Sequence, residues 1–152
     1  MKTIEAISGY RFPDADQNHS HAYLLPQVTR LISTHFQSCA TSADRRIFDV
    51  GCGNGFVDAA LAEQGYVVAG VDPSTDGIQH ANHSFPHLDL RLGSAYEDLA
   101  VQFGTFPIVI SLEVVEHLYA PRDFAATLFS LVQPGGIAIV STPYHGYIKN
   151  LL

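Results

Sequence analysis

From Arg46 onward two hydrophobic periods alternate along the chain, and this alternation constrains the fold more than any other feature. Short, almost continuously apolar runs read as strands: 47–50, 66–71, 88–92, 106–112 and 137–140. Segments with helical signals stand between them, at 56–64, 75–82, 97–103 and 121–132. Gly65 closes the first of these, and Pro121 opens the last. Within 121–132, Phe124, Leu128 and Leu131 share one face, and Pro134-Gly135-Gly136 follows. Strands that are apolar on both faces need cover on both faces. The expectation is therefore an α/β fold: a doubly wound, mostly parallel sheet between two layers of helices.

The first 45 residues are less regular. Residues 10–18, rich in Pro, Asp, Asn and Gln, read as a loop. Residues 22–36 carry Leu24, Leu25, Val28, Leu31 and Ile32 at helical spacing, with Pro26 early enough for a first turn. The expected organisation is an N-terminal helical segment over 1–45 and the main α/β unit over 46–152, together one compact domain.

The formal charge of -7, from 8 basic and 15 acidic residues, argues against a protein that mainly grips a phosphate backbone. Two cysteines, Cys39 and Cys52, make no disulfide scaffold. The start Met1-Lys2-Thr3-Ile4-Glu5 has no apolar run behind it, and no stretch is apolar enough to span a membrane. A soluble, cytoplasmic protein is the expectation.

Asp49-Val50-Gly51-Cys52-Gly53-Asn54-Gly55 lies between the first strand and the first following helix. Glycines in such a loop let the chain turn sharply or let a ligand approach the backbone. The dinucleotide fingerprint would place a third glycine where Phe56 stands, so a pyrophosphate loop is the weaker reading. A tight turn with no ligand is the bland one. About twenty residues on, Asp72 ends the second strand, where a carboxylate can accept hydrogen bonds from both ribose hydroxyls of an adenosine cofactor. Strand context and Asp72 together favour a ligand loop.

Four segments, FDVGCGNG, GVDPS, VISLEVVEHL and QPGGIAIVSTP, occur in this order. In them the chain resembles the class I S-adenosylmethionine-dependent methyltransferases, from about Arg46 to the end. The resemblance implies a Rossmann-like sheet of order 3-2-1-4-5-7-6 and S-adenosylmethionine as cofactor. It implies that Asp49, Gly51 and Gly53 line the site for the methionine end and that Asp72 takes the ribose. Pro73 or Ser74 would lie near the adenine. Ser94 and Ala95 would supply adenine contacts where the family often has Asp, a departure at Ser94.

Glu113, Glu116 and His117 follow the fourth strand at i, i+3 and i+4, which share a face on an α-helix. Two carboxylates and an imidazole suit Mg²⁺, Mn²⁺ or Zn²⁺. A solvated helix start, with acids favoured by the helix dipole, shows the same spacing. The Glu-x-x-Glu-His pattern is similar to that of the metal-dependent ubiquinone-biosynthesis O-methyltransferases and of the 2′-O-methyltransferases of small-RNA 3′ ends. By that resemblance the three residues are candidate metal ligands. His145 is the nearby histidine that could replace a ligand drawn from beyond the fifth strand.

The function these residues imply is O-methylation of a small molecule. Catalytically incomplete S-adenosylmethionine binding and RNA 3′-end methylation are the alternatives. Either a metal acidifies the acceptor hydroxyl, or His117 or His145 acts as base. The resemblance also implies a sheet without strands six and seven, leaving 137–141 as an edge. From this follow two expectations: a homodimer joined at strand five, or residues 142–152 folded back over the edge.

Overall fold

The computed structural model describes residues 12–15, 19–38 and 44–143. Within them the chain runs α1 (His19–Ser38), β1 (Arg46–Val50), α2 (Phe56–Ala62), β2 (Val67–Asp72), α3 (Thr75–Ser84) and β3 (Asp89–Leu92). It continues through α4 (Leu99–Phe103), β4 (Phe106–Leu112), a 3₁₀ turn at Val115–His117, α5 (Pro121–Leu131) and β5 (Val132–Ser141). The five strands form one sheet of order β3-β2-β1-β4-β5, with every pairing parallel.

Side-chain alternation along β1 explains the two cores. Ile47 packs with Val68, Ile108, Ile110 and Ile139 under α1 and α2, which contribute Val28, Ile32, Val57 and Leu61. Phe48 and Val50 point the other way. They pack with Val71, Val109 and Phe106 under α4 and α5, which contribute Leu99, Phe124, Leu128 and Leu131. A smaller cluster of Cys52, Ile78, Ala81 and Leu90 seats α3. Burying a side chain of this size contributes roughly 1.5–3 kcal/mol, so these clusters hold both helical layers on the sheet.

Several boundaries differ from the sequence expectation, among them those of α1, β5 and α2. α1 starts earlier, at His19, which places Pro26 inside the helix rather than in its first turn. β5 starts at Val132, because that residue already pairs with Phe106. The pairing then skips to Ile108 and Ile137, and the register shift falls at Pro107, which has no amide hydrogen to give the ladder. α2 ends at Ala62, two residues short of the expected 64, with Glu63 as its cap.

Strand order reverses between β1 and β4: the chain leaves β1 toward β2 and β3, then returns on the other side. In open parallel sheets such a switch point opens a crevice at the carboxyl ends of the strands. The glycine loop, the end of β2 and the segment after β4 all lie there. β5 is the outer strand of the described sheet, with Val140 exposed and Ile139 buried. No described helix is long and apolar enough to cross a membrane.

Candidate functional site

A cavity of about 380 Å³ occupies the switch point. That volume lies within the range of small-molecule and cofactor sites, roughly 300–1,000 Å³. All seven residues expected at the cofactor, Asp49, Gly51, Gly53, Asp72, Pro73, Ser94 and Ala95, line it, as does Ser74. Glu113, Glu116 and His117 line it too. His145 and residues 144–152 lie outside the described residues.

The loop after β1 is built on left-handed glycines. Gly51 has φ 97°, and a Cβ there would collide with Val114 Cγ2 from the segment after β4. Gly53 has φ 55°, and a Cβ there would come within 2.8 Å of the Phe12 ring. Both positions therefore need glycine for two reasons, backbone conformation and space. The loop is anchored to β2 by its amides: Gly51 N and Cys52 N both donate to Val71 O, at 2.7 and 3.1 Å.

Asp72 ties the site together. Its Oδ2 accepts from Gly53 N at 2.9 Å and its Oδ1 from Ser74 N at 2.7 Å. One carboxylate thus fixes both the glycine loop and the start of α3, where Ser74 caps the helix by accepting from Gly77 N at 3.1 Å. Burial raises the pKa of Asp72 above the ordinary carboxylate value, and the two backbone donors work against that rise. A carboxylate has about four acceptor positions. Two remain for hydroxyl donors on a ligand in the cavity.

Asp49 follows Ile47 by two residues and so sits on the same sheet face, the one that α2 covers. It is buried, and its Oδ1 has no hydrogen-bond partner. Burial first, then the nearby carboxylates of Asp58 and Asp72, push its pKa well above the usual range. A buried acceptor without a donor in the wall of a cavity suits a cationic ligand group. With a glycine cradle closed to any Cβ and a carboxylate at the end of β2, the cavity fits an amino-acid-bearing adenosine cofactor.

Ser94 opens a turn whose amides are partly engaged. Ser94 N donates to Glu97 Oε1 at 3.1 Å, and Tyr96 N donates to Ser94 Oγ at 3.3 Å. Tyr96, which the sequence reading passed over, lines the cavity, accepts from Ala120 N at 3.2 Å and packs its ring 4.8 Å from Tyr119. Phe12 also went unrecognised. Its ring lies against the glycine loop, and its segment is held by Asn54 Nδ2 donating to Asp14 O at 3.0 Å. Only an aromatic residue in a Pro-rich loop marked it in the sequence.

The three candidate metal ligands do not lie on one helical face. Glu113, Glu116 and His117 were to share a helical face, but the helix is a short 3₁₀ turn beginning at Val115, and Glu113 stands outside it. Glu113 has φ 58°, the one left-handed non-glycine conformation among the described residues. That twist turns it to the end of β5. Its amide donates to Ser141 Oγ at 3.1 Å, and its Oε1 accepts from the same hydroxyl at 2.7 Å. Glu116 Oε1 lies 4.0 Å from Nε2 of the half-exposed His117. Among the described residues no group of three His, Cys, Asp or Glu side chains is placed to hold a metal ion.

Residues 17–151 match the family described as a methyltransferase domain. The chain is 37% identical over 101 residues to the ubiquinone biosynthesis O-methyltransferase of Caulobacter sp. (strain K31), covering 64% of this chain and 40% of that protein. It is 35% identical over 125 residues to the protein of the same name from Rhizobium johnstonii, covering 80% of this chain and 50% of that one. The chain thus spans about half the length, or less, of these curated relatives. Its fold is that of CalS10, an S-adenosylmethionine-bound amino pentose methyltransferase from Micromonospora echinaspora. The TM-score is 0.68 at 22% identity, over 89% of this chain and 60% of that one. The plantazolicin methyltransferase BamL gives a TM-score of 0.67 at 17% identity, over 78% and 45%.

Proposed function

The chain belongs to the methyltransferase domain family, and from that premise we propose that it binds S-adenosylmethionine in the switch-point cavity and methylates a hydroxyl oxygen of a small molecule. The observation that carries the reading is Asp72, whose carboxylate joins the glycine loop to the cap of α3 and keeps acceptor positions for ribose hydroxyls. Asp49, Gly51 and Gly53 are the proposed contacts of the methionine end, and Pro73, Ser94 and Ala95 line the adenine side. The name shared by the relatives supports oxygen as the methylated atom.

When bound, the cofactor supplies a methyl group on a sulfonium, already an excellent leaving group. What remains for the protein is in-line placement of the acceptor and removal of its proton. Placement alone can contribute on the order of 7–11 kcal/mol in the best cases. Leu24, Leu112, Leu118, Tyr96 and Pro143 give the cavity apolar walls that suit a small acceptor with an apolar body. We assign His117 the proton. An imidazole is the side chain suited to accept one near neutral pH, and His117 lines the cavity.

Calorimetry with S-adenosylmethionine tests the binding half. Asp72→Ala should lose the ribose acceptor and weaken binding by at least tenfold, since a hydrogen bond to a charged group is worth roughly 1.5–3 kcal/mol. Equal affinity in wild type and variant would remove Asp72 from the site. Methyl transfer to catechol-type and alcohol acceptors tests the enzymatic half. Binding without turnover of any acceptor would favour a binding module instead.

A further inference from the structure

Behind the glycine loop stands a residue that the proposed reaction does not use. Asp58, at the third position of α2, is fully buried, and neither of its carboxylate oxygens has a hydrogen-bond partner. An isolated ionised carboxylate in such a place is strongly disfavoured. A solvated helix start would leave an acid here in water. This one instead lies under the loop, where it interacts electrostatically with Asp49 and Asp72.

The sheet explains why the acids meet. Asp49 on β1, Gly70 and Asp72 on β2, and the covering α2 all belong to one face. Gly70 is the partner of Asp49 across the ladder, and any Cβ on it would collide with Asp49 O and crowd Cys52. Gly70 therefore brings no side chain between the acids. No described cation neutralises the group. α1 faces this layer with Val28 and Ile32, and α3 buries Gly77, Ile78 and Ala81. The other titratable neighbour is the Cys52 thiol, which burial and the same three carboxylates keep protonated.

We propose that Asp58 is a positioning residue for the cofactor: buried beside Asp49, it holds a proton in the empty site and releases that proton to solvent when the cationic cofactor enters. The inference rests on the cofactor reading above. S-adenosylmethionine carries an ammonium and a sulfonium against one carboxylate. Its entry makes the pocket more positive and favours the ionised form of Asp58. The demethylated product has lost the sulfonium charge and draws the proton less strongly. Asp58 thereby favours the substrate form of the cofactor over the product form, and does so more as pH rises. Burial, against the pull of the residue's own backbone amide and with the Asp72 charge, raises Asp58 to about 7, within reach of such a shift.

The test is calorimetry of the full chain at pH 7 in two buffers of different ionisation enthalpy, for wild type and Asp58→Asn. The α-amine of the cofactor itself titrates at about 7.7–8.0, so the difference between the two proteins is the readout. A carboxyl that burial keeps protonated ionises as the cation enters, so wild type should release more protons per S-adenosylmethionine than Asp58→Asn. With S-adenosylhomocysteine the difference should be smaller. The preference for S-adenosylmethionine over S-adenosylhomocysteine should rise several-fold from pH 6 to pH 8 in wild type and stay flat in the variant. Asp58→Ser gives the same readout should the amide fail to fold. Equal proton counts in two proteins that both bind the cofactor would overturn the role of Asp58. No binding by wild type would overturn the cofactor reading itself, and this inference with it.

Discussion

At the scale of single residues, two positions make opposite demands. Gly51 needs the absence of a side chain. Gly51→Ala meets a left-handed φ and the Val114 side chain together, and should cost about 2–4 kcal/mol. Thermal unfolding of Gly51→Ala, Val114→Ala and the double variant checks this. The double variant should recover the steric part and keep the conformational part, so the two changes should not add. Asp58 instead costs stability through its charge. Its proton is held at about 7 in the folded chain against about 3.9 unfolded. Below pH 4 both states are protonated and no penalty arises. As pH rises from about 4 to 7 the unfolded chain ionises first, and stability is lost. Asp58→Asn should therefore gain on wild type across that window, by on the order of 4 kcal/mol. Chemical denaturation at a series of pH values would show it. A parallel pH dependence of the two proteins would contradict the buried-acid account. Asp72 was legible in the sequence because a carboxylate ending the second strand has few structural uses. Asp58 was not: an acid in the first turn of a helix is ordinary, and only its burial sets it apart.

At the scale of elements, the strands and helices after Arg46 were legible because each carries its own period and its own stop signal. Pro121 and Gly65, for example, bound α5 and α2 within three residues. What escaped was decided between elements. β5 is longer than its apolar core because Val132 finds Phe106 across a register break in which Gln133-Pro134-Gly135-Gly136 stand opposite Pro107. The Glu113 segment looked helical in sequence, yet Ser141 on β5 holds Glu113 by its amide and its carboxylate. No local pattern announces a partner twenty-eight positions away. Ser141→Ala should remove the side-chain half of this clamp and leave the Glu113 amide on the Ser141 carbonyl, 3.2 Å away. Loss of about 1–2 kcal/mol is expected, since one bond goes to a charged group and the site is only partly buried. Methyl-transfer activity should fall as well, because Glu113 and its neighbours Glu116 and His117 wall the cavity. Unchanged stability and activity would mean the clamp is incidental.

At the scale of the whole molecule, the order β3-β2-β1-β4-β5 follows from alternating strands and helices with right-handed crossovers. It fixes where a ligand can sit before any side chain is considered. The two cores hold the sheet rigid, and the loops at its carboxyl end carry the chemistry. A ligand bound there should stabilise the entire fold by linkage. S-adenosylhomocysteine at one hundred times its dissociation constant should add about 2.7 kcal/mol, or roughly 5–10 °C in melting temperature. The Asp72→Ala protein at the same ligand concentration should gain less. The central claim, that this cavity holds the cofactor with its ribose on Asp72, is tested most directly by a crystal structure grown with S-adenosylhomocysteine. The expected result has both ribose hydroxyls within hydrogen-bonding distance of the Asp72 carboxylate and the amino group beside Asp49. A ligand bound elsewhere, or one in the cavity with its ribose away from Asp72, would contradict it.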